Sequence, residues 1–130
     1  MKALLIAALC LGGAAFFFFR PFGSPAEAGY KSISQQEAYD LMKSRPDAAI
    51  VDARTEGEYR SGRIPGAILL PYDEVPQKAP FLLPDKSRMI LVYCRSGNRS
   101  KKASAALAEM GYTQVLEFGG IITWPYETER

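Results

Sequence analysis

Met89-Ile90-Leu91-Val92-Tyr93, then Cys94-Arg95-Ser96-Gly97-Asn98-Arg99-Ser100, then Lys101-Lys102-Ala103-Ser104-Ala105-Ala106-Leu107-Ala108-Glu109-Met110, is the stretch that decides the fold. The first five residues form an apolar run of strand length. The last ten have helical composition, with Ala103, Ala106, Leu107 and Met110 on one face and Gly111 placed to end the helix. Between them lies a short loop of small and polar residues. A strand, such a loop and a helix start form an anion cradle, because successive N–H groups point inward and the helix contributes its positive dipole end. A cysteine at the first position of that cradle is expected to favour its thiolate, which makes Cys94 a candidate nucleophile.

Outward from this unit the chain alternates strands and helices. On the N-terminal side, Tyr30-Lys31-Ser32-Ile33 is a short extended entry, and Ser34 with Glu37 forms a capping box that opens a helix to Arg45. Ala48-Ala49-Ile50-Val51 reads as a buried parallel strand ending at Asp52-Ala53-Arg54. Thr55 caps a short helix through Tyr59, and Gly62 ends it. Ile64 to Ile68 leads into another short strand, and Asp73 to Lys78 forms a short helix limited by Pro76 and Pro80. Beyond the Cys94 unit, Gln114 to Phe118 is a last strand, and Gly119-Gly120 turns into an apolar C-terminal segment. The spacing predicts an α/β fold with a central, mostly parallel sheet of about five strands flanked by helices. Ligands in such sheets bind beyond the carboxyl ends of the strands, where Cys94 falls.

Composition narrows the chemistry. The 130 residues fit one small domain, 48% apolar and 23% charged. There is no histidine, which removes the usual general base and the commonest metal ligand. No metal and no organic cofactor is expected. A net charge of +2 gives no argument for a nucleic-acid partner.

Residues 1–28 read as a segment apart: Lys2, an apolar run from Ala3 to Phe19, then Arg20 and a small-x-small triplet at Ala26-Glu27-Ala28. They are expected to be a signal peptide cleaved before Gly29, or alternatively a membrane anchor at the short limit of a span, which needs about 20 apolar residues. Either way residues 29–130 form the domain, periplasmic or otherwise exported, and the membrane concerns only the N-terminal segment. Without Lys2, Arg20 and Glu27 the remainder has fourteen basic and thirteen acidic residues, a net charge of +1. Cys10 lies in the leader, so the domain holds a single thiol, Cys94. A monomer is expected.

Val51-Asp52-Ala53-Arg54, Glu58 to Ala67, Cys94 to Ser100, and Phe118-Gly119-Gly120-Ile121 with Trp124 together resemble a single-domain rhodanese over about Ile33 to Tyr126. Four motifs agree in order. The resemblance implies a thiosulfate sulfurtransferase-like protein whose loop cysteine takes a sulfane sulfur from a small anionic donor, thiosulfate or a persulfide. It then passes the sulfur to cyanide or a thiol. The residues suit that chemistry: Cys94 as catalytic nucleophile, and Arg95, Ser96, Gly97, Asn98, Arg99 and Ser100 as the substrate-binding loop. Asp52 and Arg54 are expected to pair as structural support. Arg60 and Arg63 read as solvated or bracing, Lys101 and Lys102 as a solvated helix face, and Phe118 and Trp124 as core or pocket wall. Two other functions share the loop. Cysteine phosphatases and arsenate reductases use Cys-x5-Arg, one residue longer than Cys94–Arg99, and a smaller ring suits sulfur better than phosphate. A non-turnover sulfur carrier or redox-signalling module remains the other alternative.

Overall fold

The computed structural model describes residues 29–130; the expectations for Met1–Ala28, Cys10 included, lie outside the described residues. Five strands, β1 (Lys31–Ser32), β2 (Ala49–Asp52), β3 (Ile68–Leu69), β4 (Ile90–Cys94) and β5 (Val115–Gly120), form one sheet in the order β1-β5-β4-β2-β3. Every neighbouring pair is parallel. The strand order reverses around the centre, and β4 occupies the middle with Ile90, Leu91, Val92 and Tyr93 fully buried.

The pleat of β4 sends alternate side chains into two cores, one on each face of the sheet. Ile90, Val92 and Cys94 join Val75 and Ala79 of α3 (Val75–Leu82) and Ala103 and Leu107 of α4 (Asn98–Glu109). Leu91 and Tyr93 join Ala38 of α1 (Gln35–Ser44), Ile64, Leu116 and Phe118. An apolar run that is buried on both faces is thus a sandwiched parallel strand.

Capping sets the two helices on the N-terminal half. Ser34 Oγ accepts from Glu37 N at 3.0 Å while Glu37 Oε1 accepts from Ser34 N at 2.9 Å, so α1 starts on a reciprocal box. Thr55 and Glu58 repeat the motif at α2 (Glu56–Ser61), and Gly62 ends it.

Two boundaries differ from the sequence reading. The segment expected to be a short helix over Asp73–Lys78 is a 3-10 turn at Tyr72–Glu74 followed by α3, which runs through both prolines to Leu82. Pro76 lies in the first turn, where its missing N–H has no partner to lose. Pro80 sits inside the helix, but Val75, Ala79 and the following Leu83 are fully buried, and the Tyr112 hydroxyl donates to Ala79 O (3.2 Å) and Leu83 O (2.6 Å). Burial of the helix, with Tyr112 bonding the carbonyls at its C-terminal end, holds it in place despite the missing Pro80 N–H. The second difference is α4, which begins at Asn98 rather than at Lys101, so the helix N-terminus reaches into the loop.

Candidate active site

Cys94 ends the central strand, and its sulfur lies at the floor of the loop. The residue is 1% exposed. Gly97 N donates to Cys94 Sγ at 3.0 Å, and Ser100 Oγ stands 3.4 Å from the sulfur. Gly97 precedes α4 with φ +113°, a left-handed conformation that aims its N–H back at the sulfur and that a side chain would strain. Among the described residues Gly97 N is the one backbone donor bonded to Sγ.

The loop rests on the end of β5. Pairing shifts register between Val92 and Cys94, so that Cys94 faces Gly120. A Cβ on Gly120 would collide with the carbonyl of Arg95 and come within 2.6 Å of Ser96 Cα. Glycine is therefore required there by the closeness of two backbones. Ile122 N donates to Arg95 O at 3.2 Å, and Gln35 Nε2 donates to Gly120 O at 2.8 Å. These bonds hold the loop from the C-terminal segment and from α1.

The loop side chains divide by exposure. Arg95, Ser96 and Asn98 are exposed, and the Arg95 guanidinium makes no hydrogen bond or ion pair among the described residues. Ser100 is fully buried under the sulfur. Arg99 is half-buried and turned away to α2, where its two terminal nitrogens donate to Glu58 Oε1 (2.7 Å) and Oε2 (3.0 Å). Glu58 is a site residue that the sequence reading missed. That hydrogen bond to Arg99 is the first cause holding the Glu58 carboxyl down at about 2, against partial burial and with help from Thr55. Arg99 is correspondingly held more firmly protonated, by the Glu58 bond first, with burial opposing and the nearby Cys94 and Asp52 charges adding.

Glu117 is the second residue missed. Its carboxylate is 2% exposed and lies beneath the loop. Oε1 accepts from Ser32 Oγ at 2.8 Å and stands 3.8 Å from Lys101 Nζ; Oε2 accepts from Gly119 N at 2.8 Å and from Ser100 Oγ at 3.1 Å. The available signal was a lone acid in the middle of the apolar run Val115 to Phe118, since a buried acid needs partners. Lys101, expected on a solvated face, has its ammonium beside this carboxylate; Lys102 stacks toward the Tyr72 ring at 5.7 Å.

Asp52 and Arg54 form a buried pair behind the site. Arg54 Nε and a terminal nitrogen donate to the Asp52 carboxylate at 2.9 and 2.7 Å, and Tyr93 OH donates to Asp52 Oδ2 at 2.7 Å. Ile64 N donates to that same hydroxyl at 3.1 Å, while Arg54 also reaches Gly62 O at 2.7 Å. Burial first, then the Asp52 charge, pushes the Tyr93 phenol well above its ordinary range. This network ties β2, β4 and the end of α2 together. Arg60 pairs with Glu56 and Arg63 with Glu129, each at 3.6 Å. Phe118 is in the core and packs against Trp124, with ring centroids 5.4 Å apart.

The chain is similar to known proteins. Residues 34–124 match the family model described as "Rhodanese-like domain". A protein of Allochromatium vinosum named sulfurtransferase is 39% identical over 99 residues, covering 75% of this chain and 86% of its own. The thiosulfate sulfurtransferase PspE of Escherichia coli is 38% identical over 71 residues, covering 55% of this chain and 68% of its own. Among solved structures, a rhodanese with anions from E. coli superposes with a TM-score of 0.60 at 32% identity, over 64% of this chain and 98% of that one. With the match spanning β2 to β5, the Cys94 loop and the Gly119-Gly120 support beneath it, the chain belongs to the rhodanese-like domain family.

Proposed function

We propose that the protein is a sulfurtransferase that carries a sulfane sulfur on Cys94, from thiosulfate or a persulfide donor to cyanide or a thiol. The observation that carries this reading is the position of Cys94 Sγ, at the end of the central strand with the Gly97 N–H aimed at it from 3.0 Å. The names of the relatives support the same activity. In the first step the Cys94 thiolate attacks the outer sulfur of thiosulfate; a new S–S bond forms, the old one breaks, and sulfite leaves with the electron pair. In the second, cyanide or a thiolate attacks the outer sulfur of the persulfide, and Cys94 departs as thiolate. Each step needs a stabilised sulfur anion at the loop, which the Gly97 N–H and the N-terminus of α4 supply.

Anion capture falls to the surface of the loop. Arg95, with its guanidinium exposed and without a partner among the described residues, offers a fork to the sulfonate end of thiosulfate, with Ser96 and Asn98 beside it. Arg99 is committed to Glu58 and does not present its fork to an oxyanion, which argues against a phosphatase. The domain is proposed to act outside the cytoplasm, a reading supported by the apolar run and small-x-small triplet of Met1–Ala28, and to act as a monomer. The test is a thiosulfate:cyanide assay on wild type and Cys94→Ser. Thiocyanate from wild type alone supports the proposal; equal turnover by Cys94→Ser overturns it.

A further inference from the structure

Cys94 has no histidine to take its proton, and the residue is only 1% exposed. The sulfur does have one hydroxyl neighbour, and that hydroxyl has a buried carboxylate behind it. Cys94 Sγ lies 3.4 Å from Ser100 Oγ, which lies 3.1 Å from Glu117 Oε2. Ser100 has one hydrogen and three acceptors in reach: Glu117 Oε2, Gly97 O at 3.0 Å and Gly119 O at 3.5 Å. Gly97 is the N-cap of α4, and an N-cap carbonyl already takes the first helical bond. The Glu117 carboxylate is the charged acceptor and so the stronger one. The hydroxyl hydrogen therefore points at Glu117, and the oxygen turns a lone pair to the thiol.

We propose that Glu117, acting through the Ser100 hydroxyl, receives the proton of the Cys94 thiol. In the starting arrangement Sγ–H donates to Ser100 Oγ, and Ser100 O–H donates to Glu117 Oε2. Moving both protons one step breaks the S–H bond and the original Ser O–H bond, and forms a new Ser O–H and a Glu117 O–H bond. The result is a Cys94 thiolate that accepts from Ser100, which accepts from a neutral Glu117. The trio holds one negative charge before and after, so no second buried anion is created; two like charges this close oppose each other's ionisation. The other groups facing the pair fit this single charge. Ser32, Gly119 N and the half-exposed Lys101 ammonium surround Glu117, while the Glu58-bound Arg99 lies near the sulfur, with Asp52 neutralised by Arg54. Ser100 touches the reacting sulfur itself, whereas Glu117 is a positioning residue that reaches it only through Ser100.

This inference rests on Cys94 as the nucleophile, and its test uses no sulfur donor, so failure of sulfur transfer and failure of the proton path read out separately. The experiment is the rate of Cys94 alkylation by iodoacetamide between about pH 5 and about pH 10, a window that brackets an ordinary thiol. Two groups that share a proton titrate in two steps that belong to the pair. Wild type is expected to show a lower and an upper step, Glu117→Gln a single step, and Ser100→Ala loss of the lower step. At about pH 6 either variant should react about tenfold more slowly than wild type, because an ordinary thiol is almost wholly protonated there and only the lower step supplies thiolate. A single step in wild type overturns the proposal whatever the variants do, so it stays testable if Glu117→Gln fails to fold. Two steps that persist unchanged in Glu117→Gln overturn it as well.

Discussion

Arg99 and Glu58, 41 residues apart in sequence, meet in a two-pronged pair at 2.7 and 3.0 Å that joins the first turn of α4 to the first turn of α2. The same Glu58 closes the capping box of α2, accepting from Thr55 N at 3.1 Å. One carboxylate thus starts a helix and anchors the Cys94 loop. Its loss should be felt in both places.

The pH dependence of that link follows from the sign of the shift. Glu58 titrates at about 2 in the folded chain against an ordinary 4.5, so the stability it contributes is complete above about 4.5 and is lost as pH falls toward 2. Glu58→Gln is expected to be less stable than wild type by about 1 kcal/mol at neutral pH, the usual worth of a good partly exposed pair. Urea unfolding at a series of pH values checks this: the gap should close below about pH 2, where wild type is protonated too. A gap that stayed constant into acid would remove the ion pair as its cause.

Arg95 should matter for the donor and not for the fold. With an exposed guanidinium and no partner among the described residues, Arg95→Ala is expected to raise KM for thiosulfate about tenfold, the loss of one charge-assisted contact, while leaving the unfolding midpoint in place. Steady-state kinetics alongside thermal melts separate the two. An unchanged KM would move anion binding elsewhere on the loop.

Gly120 is held to glycine by the backbone lying over it. In Gly120→Ala the new methyl meets the Arg95 carbonyl and Ser96 Cα, so the loop must lift. A destabilisation of about 2 kcal/mol or more is expected, together with loss of sulfur transfer larger than the stability change explains. Retained activity at wild-type level would show that the loop tolerates displacement.

Tyr93→Phe strips a hydroxyl that accepts from Ile64 N and donates to Asp52. Two buried groups lose a partner, and a cost of about 2 kcal/mol in chemical denaturation is expected. Because Tyr93 points away from Cys94 into the opposite core, alkylation of the thiol should proceed at the wild-type rate.

The sheet, its parallel sense and the place of Cys94 were legible because they rest on local pattern: continuous apolar runs at Ala49–Val51 and Ile90–Tyr93, and a strand-loop-helix unit around the thiol. The pairing of Asp52 with Arg54 was legible for the same reason, two residues apart at a strand end. Glu58 and Glu117 were not. Each meets its loop partner only after distant strands and helices are set side by side, Glu58 across 41 positions and Glu117 across the 17 that separate it from Ser100. The run of α3 through Pro80 was also hidden, because Tyr112, 29 residues beyond Leu83, supplies the donor that makes its end tolerable.

The most direct test of sulfur carriage is the mass of the intact protein before and after incubation with thiosulfate, followed by cyanide. Wild type is expected to gain the mass of one sulfur atom with thiosulfate and to lose it with cyanide, while Cys94→Ser gains nothing. A wild-type mass that never changes, or an equal gain by Cys94→Ser, would contradict a persulfide on Cys94.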